Sequence, residues 1–184
     1  MENVTADAKE KTVDKKEKFP SGELLFSVIQ KEYDYEQARK TAMETKAGIL
    51  IPFVVAVLAF VVSYIKISNF TKHKEYSLLE AFIYISYVFL IIVTVLSVIV
   101  ALIYLMKVFI TYEYKRLSIS EFNMDYAKNP KDAVVIALAT RYKEIIEHNQ
   151  GVNNNKTNYY QIGVYATLIS TISTILVYGI SLNI

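Results

Sequence analysis

Three uncharged apolar stretches constrain this chain more than anything else in it. They are "AGILIPFVVAVLAFVVSYI" at 47–65, "AFIYISYVFLIIVTVLSVIVALIYLM" at 81–106, and residues 157–184, whose apolar part begins at "YYQIGVYATLISTISTILVYGISL". A helix rises about 1.5 Å per residue, so about 20 mostly apolar residues cross the ~30 Å hydrocarbon layer of a bilayer. All three stretches qualify, the first with little to spare. The alternative is three core helices of a soluble domain. A chain of 184 residues leaves too little other material to cover them. The expected fold class is an all-α integral membrane protein, with three transmembrane helices and long cytoplasmic helical extensions.

Composition agrees with this layout. Hydrophobic residues make up 53% of the chain and charged ones still 21%, so the two kinds are segregated into blocks. Five glycines and three prolines are too few for a turn-rich β fold. The absence of cysteine excludes disulfides and thiolate zinc sites. A net charge of +2 is too small to point to nucleic acid, and none is expected as a partner.

The expected order begins with a disordered charged tail (1–21), whose first apolar run comes too late for a cleavable signal. A cytoplasmic helix (22–46) then continues into the first span (47–65). An outer loop (66–80) leads to the second span (81–106). A cytoplasmic helical segment (107–158) precedes the third span (159–182). In that segment Asn129 can cap a helix with Pro130 at its first position, and one Gly at 151 need not end it. Lys31, Arg39, Lys40 and Lys46 precede the first span, Lys107, Lys115 and Arg116 follow the second, and Arg141, Lys143 and Lys156 precede the third. The positive-inside rule therefore predicts an integral protein of the bacterial inner or plasma membrane, N-terminus cytoplasmic and C-terminus outside. Lys66, Lys72 and Lys74 in the outer loop run against that bias. Tyr64, Tyr76, Tyr104, Tyr159, Tyr160 and Tyr178 fall near span ends, where amphipathic rings favour the headgroup level. Tyr84 and Tyr87 lie deeper and are expected between helices.

Three polar sets stand out on helical wheels. In the third span Gly163, Thr167, Ser170, Thr171, Thr174, Tyr178 and Ser181 share one side. Such a seam can pack helices through small residues or line a pore or oligomer axis. In the second span Tyr87, Leu90, Thr94, Ser97, Ala101 and Tyr104 recur with gaps of three and four, a heptad-like packing seam. Before the third span Tyr142, Ile145, Ile146, Asn149, Asn153, Lys156 and Tyr160 share a face. Amides and a lysine there are costly without partners. Interhelical hydrogen bonds with a snorkelling Lys156 would satisfy them. So would a cytoplasmic trigger or ligand pocket built from Glu36, Arg39, Lys46, Asn149, Asn153 and Lys156. On the first helix Leu25, Ile29, Met43 and Ala47 share a face with Glu36, and Arg39 is placed to pair with Glu36. Glu80 suits the positive end of the second helix.

Phosphate-binding loops, dinucleotide fingerprints, HExxH and GxSxG are absent, and the only histidines are 73 and 148. No catalytic residue, metal or cofactor is expected. The stretch "YEQARKTAMETKAGILIPF" (35–53) resembles the lead-in of small transmembrane effectors of bacterial anti-phage defence, of the Pycsar, CBASS and SLATT-like kinds. There a cytoplasmic helix runs into a Lys-Ala-small-apolar junction. "RYKEIIEHNQGVNNNKTNYYQIG" (141–163) is similar to uncharacterised proteins of that sort. No separate nucleotide-sensing domain is legible, and the SLATT group usually has two spans where three are counted here. The resemblance implies a non-enzymatic, homo-oligomeric effector that permeabilises the bilayer on a protein or nucleotide signal, as in abortive infection. A structural or accessory subunit and a holin-like pore former are the alternatives.

Overall fold

The structure is a computed structural model that describes residues 19–64, 77–110, 114–118 and 128–182. The outer loop at 66–76, including Tyr76, and most of the N-terminal tail lie outside the described residues. Among the described residues all regular structure is helical: α1 (Gly22–Tyr64), α2 (Leu78–Phe109) and α3 (Lys131–Ser181). At about 1.5 Å per residue the 43, 32 and 51 residues span roughly 65, 48 and 77 Å. All three helices are long and apolar enough to cross a membrane.

Local chemistry explains the ends. Ser77 caps α2: its Oγ accepts from the Glu80 N–H at 3.4 Å, and Glu80 Oε2 accepts from the Ser77 N–H at 2.9 Å. This reciprocal box satisfies two amides that a helix start otherwise leaves orphaned. Glu80 thus serves as a cap partner as well as a favourable charge. At α3 the expected positions shift by one residue. Pro130, not Asn129, is the N-cap, and Lys131 is the first helical residue. The extended Pro130 backbone (ψ 139°) makes this assignment, and its carbonyl accepts from the Ala133 and Val134 amides.

Gly151 interrupts nothing, and α3 passes through it into the apolar stretch. Likewise α1 passes through Pro52 without ending. Pro52 has no N–H to offer Gly48 four residues earlier, so the ladder is weakened there. Beside that spot lies the Phe109 ring, 3.6 Å from where a Gly48 Cβ would be.

Cross-helix contacts fix directions and register. Gly22 lies against Val135 and Ile136, Arg39 against Asn154 and Thr157, and Phe60 against Tyr178, so α1 and α3 run parallel. In α2, Tyr104 meets Tyr159 while Tyr87 clusters with Val177 much further along α3, so α2 runs antiparallel to both. The three apolar stretches therefore lie side by side at matching heights. Beyond the level of Gly48, Phe109 and Tyr159, a stalk is left, made of α1, α3 and the segment 114–118.

Each helix turns a stripe spaced three and four residues apart toward the others. Met43, Ala47, Val54, Val57 and Val61 are buried on α1, and Ile91, Thr94, Val98, Ala101, Leu105 and Val108 on α2. On α3 the stripe runs from Ile146 through Asn149, Asn153, Lys156, Gly163, Thr167, Ser170 and Thr174 to Val177. Away from the axis, Phe53, Phe82, Phe89, Leu96, Leu168 and Ile172 are exposed. The apolar section is thus greasier outside than inside, the reverse of a water-soluble bundle.

Candidate functional site

The stalk interior is polar where α1 faces α3. Glu36 is 3% exposed and Asn153 fully buried. Asn153 Nδ2 donates to Glu36 Oε2 at 2.6 Å and to the Glu36 carbonyl at 3.0 Å. Arg39 Nη1 stands 3.5 Å from Glu36 Oε1, while its Nη2 donates to Asn154 Oδ1 (2.9 Å) and Thr157 Oγ1 (3.2 Å). One turn nearer the apolar section, Lys156 Nζ donates to Glu44 Oε1 at 2.6 Å. The lysine side chain is 1% exposed and that of Glu44 27%. Lys156 therefore does not snorkel outward; it points at α1, because Glu44 offers a charge nearer than water. Lys40 Nζ also stands 4.0 Å from Glu44 Oε1, so each buried acid has a base beside it and the pairing offsets most of the cost of burial.

Asn149 closes the ladder at the other end. It is 1% exposed, and its amide forms a two-way pair with the Lys115 backbone. The Lys115 N–H donates to Asn149 Oδ1 and Asn149 Nδ2 donates to the Lys115 carbonyl, both at 3.0 Å. This pins the 114–118 segment along α3. It brings Tyr114 against the Asn153 amide, with Lys40 Nζ 4.7 Å from the ring centroid. Tyr114 Oη and Asn153 Oδ1 are both buried without a hydrogen-bond partner. Burial raises the pKa of the Tyr114 hydroxyl above its usual value, with Asn153 opposing and Glu36 reinforcing the rise. Tyr142, packed edge-on against Phe26 (5.7 Å) and Tyr33 (5.2 Å), is raised for the same first reason.

Five of the six residues expected to form a stalk pocket thus lie along this contact: Asn153 and Arg39 on Glu36, Lys156 on Glu44, and Asn149 on the Lys115 backbone. Lys46 is exposed on α1 and outside it. Glu44 is the partner missing from the expected set. The signal was its position: Glu36 and Glu44 are eight residues apart, close to two helical turns, and so share a face. Leu25, expected on that face, is 49% exposed; Phe26 turns inward instead.

The seam in the apolar part of α3 is placed as follows. Gly163, Thr167, Ser170 and Thr174 are buried, Thr171 and Ser181 half-buried, and Tyr178 is exposed and set against Phe60. Ser173 and Val177 complete the buried face. The hydroxyls do not bridge helices. Thr167, Ser170, Thr171 and Thr174 donate to carbonyls three or four residues back at 2.7–2.8 Å. Backbone carbonyls supply the partners that lipid cannot, and small size is what the seam offers its neighbour. On α2, Tyr87, Thr94 and Ala101 are buried, while Leu90, Ser97 and Tyr104 are half-buried at the edge of the seam. The closest approach is at Gly163, where an added Cβ would stand 2.8 Å from Leu105 Cγ and Cδ2. At the border of the stalk, Lys107 Nζ lies 5.0 Å from the Tyr104 ring and 5.5 Å from the Tyr159 ring, holding a cation where the apolar section ends.

No family model, curated protein or solved structure matches this chain. The functional reading rests on the stalk network, the seam and the physics that joins them.

Proposed function

We propose that this chain is a non-catalytic membrane effector. Its three apolar sections cross the bacterial inner membrane, the stalk lies in the cytoplasm, and copies assemble into a homo-oligomer. A signal at the stalk rearranges the α2–α3 seam and makes the bilayer leaky, as anti-phage abortive infection would require. The observation that carries this reading is the charged, buried Lys156–Glu44 and Asn153–Glu36 ladder lying within about three turns of the apolar section on the same helices. A buried ion pair is a weak source of stability, and its best-attested use is as a register or switch element. Here the residues that hold the stalk shut continue directly into the seam on α3. The lysine and arginine bias around the spans supports the orientation, and the defence role rests on the resemblance at 35–53 and 141–163.

A second reading has its own support. The seam hydroxyls are satisfied within one chain, as expected of an accessory subunit whose seams serve only packing. Purification alone as a defined symmetric oligomer counts against that reading.

Membrane potential in living cells tests the effector reading. Glu44→Ala, which removes the acid facing Lys156, is expected to depolarise cells when expressed, while wild type at the same membrane level does so only when signalled. Unchanged potential with Glu44→Ala at matched levels would sink the proposal.

A further inference from the structure

Beside the stalk network lies a small cationic pocket with a volume of about 240 Å³. Its walls are the extended 114–118 segment and the outer face of α3, contributing Lys115, Arg116 and Ser118 on one side and Arg141 and Glu144 on the other. Among the described residues, three cations and one carboxylate line the pocket, a balance of two positive charges. Arg141 Nη1 is steadied by Glu144 Oε2 at 3.4 Å. The opposite wall is held by the two-way hydrogen bond between buried Asn149 and the Lys115 backbone. The walls are thus built, not merely adjacent surface charges. Paired guanidinium and ammonium groups around a hydroxyl suit tetrahedral oxyanions, because arginine offers forked donors to phosphate oxygens.

Height excludes the bilayer as the source of that anion. Ile145, at the pocket floor, precedes Tyr159 by 14 residues, about 21 Å along a helix. The headgroup layer extends only about 5–8 Å beyond the hydrocarbon. The volume lies below the ~300–1,000 Å³ of sites that enclose drug-sized ligands. It accommodates inorganic phosphate or one phosphate-bearing end of a larger soluble molecule.

We infer that this pocket binds a soluble phosphate group and that its occupancy is the signal read by the stalk. The second half of this inference rests on the effector reading above. The pocket is wired to the latch through a single peptide step: Lys115 lines the pocket, and Tyr114 packs on Asn153 and under Lys40. An anion drawing Lys115 and Arg116 toward Arg141 pulls on the segment that seats Tyr114 beside the Glu36–Asn153 pair.

Binding is measured directly, without any leak readout, so the site and the effector reading fail separately. The full chain in phosphatidylcholine nanodiscs is titrated with inorganic phosphate by calorimetry. Saturable binding is expected, weakened about tenfold or more by Arg116→Gln or Arg141→Gln. Both residues are exposed, and helical circular dichroism confirms that the variants fold. Lys46→Gln, which removes an exposed cation elsewhere on the stalk, leaves affinity unchanged. No saturable binding, or equal weakening by Lys46→Gln, overturns the site. Binding that appears only when phosphatidic acid is present in the nanodisc assigns the pocket to a lipid headgroup and overturns the soluble ligand. If phosphate binds as expected but Tyr114→Phe and phosphate both leave the stalk's hydrogen exchange unchanged, the coupling to the latch is refuted while the site stands.

Discussion

At Lys156 the chain places a cation where almost no water reaches, and among the described residues Glu44 offers it its close carboxylate. The two partners are not equivalent. Removing the acid leaves a buried, uncompensated ammonium, a change that costs about 3–5 kcal/mol in comparable sites. Removing the base by Lys156→Met leaves Glu44 still 27% exposed to water and still facing Lys40 at 4.0 Å. Glu44→Ala is therefore expected to destabilise the stalk by several kcal/mol and Lys156→Met by clearly less. Chemical unfolding of each variant in mixed micelles, followed by circular dichroism, measures the order. Equal losses would mean that Lys156 finds water after all. Asn153 matters for a different reason: its Nδ2 holds the Glu36 carboxylate and carbonyl together, so the acid is satisfied while buried.

Among elements, the pairing of α2 with α3 depends on one residue without a side chain. A Cβ at position 163 would meet Leu105 Cγ and Cδ2 at 2.8 Å and the Leu105 backbone N at 3.4 Å, and Leu105 is fully buried. Gly163→Ala is expected to cost about 1–3 kcal/mol as overpacking. Adding Leu105→Ala should recover part of that loss, a non-additivity that a double-mutant cycle reads directly. The helices themselves were legible in the sequence: long apolar runs, few breakers and Pro130 mark them. The α2 seam was legible only in part. Tyr87, Thr94 and Ala101 stood out because small or polar residues in an apolar run are conspicuous. Ile91, Val98 and Leu105, buried beside them, look the same as outward-facing Ile92 or Leu96 until a partner helix is placed. The stalk network was legible as a set of amides and charges sharing a face. Its pairing was not, because wheel positions give no register between helices. That register, about 112–118 residues between α1 and α3, is what chooses Glu44 over Lys46 as part of the site.

For the whole molecule the central claim is mechanical: a polar latch in the stalk and a small-residue seam in the apolar section are two ends of the same rods. Opening the first should loosen the second. The chain has no native cysteine, so a Leu105→Cys/Gly163→Cys pair can lock α2 to α3 without side reactions. The most direct measurement is dye release from liposomes reconstituted with Glu44→Ala in that cysteine background, under oxidising and reducing conditions. The charge-swapped Glu44→Lys/Lys156→Glu pair serves as the control for restored attraction. The account predicts rapid release when reduced, release no faster than wild type when oxidised, and a sealed bilayer with the swapped pair. Release from Glu44→Ala that ignores the cross-link, or no release above protein-free liposomes in either state, would contradict it.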